Sequence, residues 1–178
     1  TAIPTPGSSN VAPPAGVLAL LNGLRISEVL YHPASLEYLE LHNIGPTTLD
    51  LGGVRFTRGL TYTFPSGTAL ASGAYLIVCR DRAAFEAQFP SAVASLAPGN
   101  FTGSLDNAGE VIALQPPSPF GVNILKFEYR PTWFPPLTDN GHSLAVIDDV
   151  ASPARDWGDR KTWTPSVNLY GTPGSGPP

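Results

Sequence analysis

Apolar and polar side chains alternate in short runs along most of this chain, with a period of two. Leu39 and Leu41 alternate with Tyr38, Glu40 and His42, the pattern of a strand with one buried face. Val54 and Phe56 alternate with Arg55 and Thr57 in the same way. Tyr62 and Phe64 follow Thr61 and Thr63, and Pro65-Ser66-Gly67 then turns the chain. The unbroken apolar run from Ala74 to Cys79 predicts a strand covered on both faces. Val111 to Leu114 follows Asp106-Asn107-Ala108-Gly109, which reads as a hairpin-type turn. Ile124, Lys126 and Glu128 alternate with Leu125, Phe127 and Tyr129, and a further strand runs from Ser143 to Ile147. One helix is predicted, Arg82 to Gln88, capped by Asp81 and covering an end of the sheet with Phe85 and Phe89.

Many short strands, turn residues between them and little helix predict an all-β sandwich or barrel with one short helix. Leu39, Leu41, Val54, Phe56, Leu76, Val78, Val111 and Leu144 are expected to share one core. The prolines between residues 115 and 136 predict edge strands and long connections there.

Composition sharpens this picture at three points. Glycine and proline number 18 and 20 among 178 residues and concentrate at the ends. Residues 1–16 and 171–178 therefore read as linkers around a domain spanning 17–170. Ten basic against fourteen acidic side chains give a net charge of −4, which excludes a broad basic footprint for nucleic acid or anionic lipid. The single cysteine, Cys79, cannot form an intrachain disulfide. The chain has no methionine and opens on Thr1, which reads as a piece of a larger protein or a processed product. The apolar stretch from Val17 to Leu21 is far short of the ~20 residues of a membrane helix, and nothing resembles a signal peptide.

Seven stretches, in order, resemble the lamin-tail domain, an immunoglobulin-like sandwich of nuclear lamins and many bacterial secreted proteins. They are LRISEVLYHP (Leu24 to Pro33), EYLELHN (Glu37 to Asn43), LDLGGVRF (Leu49 to Phe56), and Phe64 to Val78. Leu105 to Leu114, GHSL (Gly141 to Leu144), and Trp157 followed by GTPG at Gly171 to Gly174 complete the set. The sequence departs from the family at Val54, where many relatives carry tryptophan, and in a proline-rich insertion at Gln115 to Phe120. The resemblance implies an immunoglobulin-like β-sandwich with one short helix and a place in a large exported bacterial protein, outside the cell or on its surface.

Candidate chemistry is sparse. Glu28 and Glu40 sit among strand apolars, where a carboxylate needs partners, and backbone N–H groups at a bulge would supply them. Gly52, Gly53, Asn107 and Gly109 are expected to serve turns, with positive φ at Gly52-Gly53 and along Asn107-x-Gly109. His32, His42 and His142 read as surface or turn residues without metal-ligand spacing. Cys79 reads as a small buried hydrophobe, and no nucleophile motif is present. Asp106, Asn107 and Glu110 read as turn residues, and Asp148-Asp149 as a solvated loop, rather than as calcium ligands. No catalytic residue, metal or cofactor is expected.

The aromatics offer more. Trp133, Phe134 and Trp163 are candidates for an exposed binding surface, and Trp157 for packing the C-terminal segment onto the sandwich. These readings give a non-catalytic structural, adhesive or protein-interaction module. Its partners would be other modules of the parent protein or an unidentified protein or glycan, with no nucleic acid and no membrane insertion. The alternative is a carbohydrate-binding module.

Overall fold

The computed structural model describes residues 13–176. Residues 1–12 of the N-terminal segment read as a linker, and 177–178 of the C-terminal one, lie outside the described residues.

The chain folds as two five-stranded antiparallel sheets packed face to face. The first sheet has the order β12-β11-β1-β2-β7. Its strands are β1 (Leu24–Leu30), β2 (Tyr38–Asn43), β7 (Tyr75–Cys79), β11 (His142–Val146) and β12 (Trp163–Leu169). The second runs β10-β9-β4-β5-β8. It comprises β4 (Arg55–Arg58), β5 (Leu60–Thr63), β8 (Thr102–Gly103), β9 (Glu110–Gln115) and β10 (Leu125–Tyr129). A small ribbon of β3 (Leu49–Asp50) and β6 (Ala69–Leu70) completes the strands.

The inner faces of the two sheets meet in one apolar cluster that contains Leu39, Leu41, Val54, Phe56, Val78 and Leu144, six of the eight expected core positions. Leu76 is partly buried against it. Val111 is not a member: β9 turns Ile112 and Leu114 inward, each fully buried, so the core register of this strand is one residue off the expectation. Trp157 and Trp163 close the sandwich on the β10/β12 side. The Trp157 Nε1–H donates to Ile26 O at 2.8 Å, and the Trp163 Nε1–H donates to Trp157 O at 2.8 Å.

Helix α2 (Arg82–Gln88) forms as predicted, with Asp81 Oδ1 accepting from the Ala84 N–H at 3.1 Å. Phe85 is fully buried in a second, smaller cluster with Tyr38, Ile77 and Cys79, on the outer face of the first sheet. This explains the apolar run of β7, whose Val78 joins one cluster while Ile77 and Cys79 join the other.

A further helix, α1 (Ala15–Gly23), begins inside the segment read as a linker. It buries Val17 and Leu20, and Leu20 belongs to the main core. The short apolar run that is far too brief for a membrane is thus a helix packed beside β3 and β1 of the sandwich. Among the described residues, no helix is long and apolar enough to cross a membrane.

The hairpin expected at Asp106-Asn107-Ala108-Gly109 does not form. The turn is present, with the Gly109 N–H donating to Asp106 O at 2.9 Å. However, β8 before it pairs with β5, and β9 after it pairs with β4 and β10. Local turn chemistry bends the chain, but the partner of each strand is set by which face it must bury.

Candidate functional site

Strand β2 has every residue buried, although its sequence alternates apolar and polar. Leu39 and Leu41 point into the core, so Tyr38, Glu40 and His42 lie on the opposite, outer face. That face is covered by the protein itself.

Glu28 on β1 stands directly opposite Glu40 on β2. The ladder shifts between Ile26 and Glu28, and this irregularity places Ser27 where its Oγ donates to Glu40 Oε1 at 2.7 Å. Ser143 on β11 donates its hydroxyl to Glu28 Oε1. Both carboxyl groups are almost wholly buried. Burial raises the pKa of Glu28. Burial, and then the charge of Glu28, push Glu40 up to about 8.

The remaining partners come from the C-terminal segment 171–176, which crosses this face as a strap. The Thr172 N–H donates to Glu28 Oε1 at 3.1 Å, and the Gly174 N–H donates to Glu40 Oε2 at 2.5 Å. Tyr38 Oη donates to Tyr170 O at 3.1 Å, just ahead of the strap. The expectation that buried glutamates accept backbone N–H groups thus meets an actual set of donors. They come not from a strand bulge but from a segment more than a hundred positions away, one that reads as a linker by composition. A tail rich in glycine orders here because its N–H groups have buried acceptors waiting for them.

His42 lies on the same face and is not a surface residue. Its Nδ1 is 2.7 Å from Asp149 Oδ2, and its ring stacks on Tyr75 with centroids 4.2 Å apart. Asp149 is buried in turn, whereas Asp148 is exposed and accepts the Val150 and Ala151 N–H groups. The Asp148-Asp149 pair is therefore half solvated loop and half internal anchor. Glu37, a fourth buried carboxylate, is not singled out as a site by its sequence. It takes Arg80 Nη1 at 3.0 Å and the Leu105 N–H at 2.9 Å. Its sequence signal is its place immediately before the alternation that starts at Tyr38, as the first residue of the EYLELHN stretch.

His32 and His142 are half-buried, and His142 Nδ1 lies 2.8 Å from Ser166 O. Cys79 is fully buried, and burial pushes its thiol up to about 11, so it carries little thiolate at neutral pH. Among the described residues, no three His, Cys, Asp or Glu side chains are grouped to hold a metal ion. The acidic turn at Asp106 uses its oxygens internally: Asp106 Oδ1 accepts the Ala108 N–H, and Glu110 Oε1 accepts the Asp106 N–H.

The turn residues divide. Gly53 and Gly109 have φ of 78° and 91°. Gly52 and Asn107 lack positive φ, which corrects the expectation for both. Gly52 instead donates its N–H to Asp50 Oδ1 at 2.9 Å, and Asn107 is an exposed turn residue.

The aromatic candidates also divide. Trp163 is 1% exposed and packs on Phe127, with centroids 5.3 Å apart, so it belongs to the core rather than to a binding surface. The strand pattern around it is short, and only the docking of β10 decides which way its ring faces. Trp157 is fully buried. Trp133 and Phe134 are half-buried. Arg160 covers them, its Nε donating to Trp133 O at 2.7 Å and its guanidinium sitting 4.6 Å from the Phe134 centroid.

A two-sheet antiparallel sandwich closed by tryptophans, with its polar face sealed by a glycine-rich strap, defines a β-sandwich module. The family model of the Lamin Tail Domain matches residues 21–117, more than half of the chain. The chain therefore belongs to the lamin tail domain family, with its immunoglobulin-like and non-catalytic type of domain. No curated protein and no solved structure matches it.

Proposed function

We propose that this chain is a non-catalytic structural or protein-interaction module of a larger exported multidomain bacterial protein, working outside the cell or on its surface. The observation that carries this reading is the use made of its buried ionisable groups. Glu28 and Glu40 are engaged by the strap, Glu37 by Arg80 and Leu105, and His42 by Asp149. Each such group holds two parts of the fold together, and a framework of this kind suits a spacer whose loops meet other modules of the parent or a separate protein. The net charge of −4 argues against nucleic acid as a partner.

Carbohydrate binding is the competing reading, because Trp133 and Phe134 keep part of their surface open. Two assays separate the readings. On a glycan array the module should stay at background; saturable binding that Trp133→Ala abolishes would replace this reading with carbohydrate recognition. Against ester and phosphoester substrates the chain should show no turnover. Turnover lost in His42→Asn would make it an enzyme. Antibody labelling of intact cells that carry the parent protein should reach this domain, and exclusive labelling of permeabilised cells would refute export.

A further inference from the structure

The strap is held through its backbone. Its Thr172 and Gly174 N–H groups end on two side-chain carboxyls, and the Tyr170 carbonyl ahead of it ends on Tyr38 Oη. Recognition of this kind reads which positions can donate and which can approach closely, and ignores most side chains. Gly171 shows the second requirement. A Cβ there would overlap Tyr38 Oη, Glu28 Oε1 and Ser143 Oγ, and its φ is 92°. Gly174 has φ of 84° and passes beside Ala92 and Ser95, where a Cβ would lie 3.4 Å from Ala92 Cβ. The outer face of the first sheet is thus shaped for a Gly-x-x-Gly segment that donates the N–H groups of its second and fourth residues. The segment is joined to β12 through Tyr170, whose φ of 66° is the one positive value among non-glycine described residues. A strained joint favours states in which the strap leaves its own sheet.

From these contacts we infer that this face is a receptor for a Gly-Thr-Pro-Gly segment, filled here by the chain's own strap and open to the same strap of a second copy of this chain. The inference deepens only the protein-interaction half of the reading above, by naming the partner. The sequence supplies a test of selectivity. Thr5-Pro6-Gly7-Ser8 repeats Thr172-Pro173-Gly174-Ser175, but Pro4 stands where Gly171 would. Proline is locked near φ of about −65° and cannot adopt the conformation that the groove requires. The N-terminal repeat should therefore be refused.

The experiment uses the full chain carrying Gly171→Ala, whose strap cannot seat, and a fluorescent peptide of residues 170–176. Anisotropy should show saturable binding to this variant and at least tenfold weaker binding to the wild type, where the tethered strap competes. A labelled peptide of residues 3–9 should not bind. Glu28→Gln with Glu40→Gln in the Gly171→Ala background should weaken binding of the 170–176 peptide several-fold. Absence of peptide binding to a variant with wild-type circular dichroism overturns the inference, as does equal binding of the two peptides. If Gly171→Ala does not fold, Thr172→Pro, which deletes the N–H given to Glu28, takes its place. Failure of both variants to fold would show a strap that the fold cannot release, and would also overturn it. For the second copy, sedimentation of the wild type should reveal a dimer that excess 170–176 peptide dissolves; a strict monomer at millimolar concentration rules that partner out. None of these outcomes touches the glycan and turnover assays, so the two readings fail separately.

Discussion

Glu28 and Glu40 face each other across β1 and β2, and each receives a backbone N–H from the same strap. Two like groups directly opposite on a sheet repel when both are charged. Burial and this proximity together push Glu40 up to about 8, so it keeps its proton at neutral pH and the pair carries at most one full charge.

That arrangement sets a pH dependence. In the unfolded chain Glu40 loses its proton near its ordinary 4.5, and in the folded chain it does so near 8. Between these values the folded state binds the extra proton, so the contribution of Glu40 is fully present below 4.5 and is lost as pH rises through 8. The unfolding free energy of the wild type, from urea titrations, should fall across this window relative to Glu40→Gln by on the order of a few kcal/mol. Parallel pH profiles for the two proteins would contradict the assignment.

Core membership gives a second expectation. Leu41 is fully buried between the sheets, and Leu41→Ala should cost roughly 2–5 kcal/mol in urea unfolding. Val111, half-buried and outside the cluster, should lose only about 1 kcal/mol as Val111→Ala. Equal losses at the two positions would reverse the register of β9.

The tryptophans should separate by role. Trp163→Ala removes a buried ring that packs at a tilt against Phe127 and should cost about 3–5 kcal/mol. Trp133→Ala, at a half-buried loop position, should cost markedly less. Thermal melts of the two variants decide this, and a larger loss at Trp133 would move the seal of the sandwich to its loop.

Metal is not expected to contribute to the fold, because the acidic turn spends its oxygens on its own N–H groups. The melting midpoint should be the same with and without chelator. Removal of a structural ion would lower it by ~2–4 °C per kcal/mol lost in a chain of this size. Such a drop would turn Asp106, Asn107 and Glu110 into ligands.

Much of the sandwich was legible in the chain. The alternation of Leu39, Leu41, Val54 and Phe56, the Asp81 cap and the order of seven short stretches point to the observed class of fold. These are local signals, since period two and a capping carboxylate act within a few residues. What local periodicity cannot register is the cover laid on a polar face from elsewhere. Tyr38, Glu40 and His42 alternate as a solvent-facing row, yet all three are buried, under α2, Asp149 and the strap. Likewise, residues 171–176 read as a linker by composition although they are ordered, because the acceptors that order them sit on strands more than a hundred positions away. The sequence by itself determined where most of the strands lie and, outside β9, which of their faces enters the core. Only the tertiary structure decided what became of the other face, because burying a carboxyl depends on donors that arrive through space rather than along the chain.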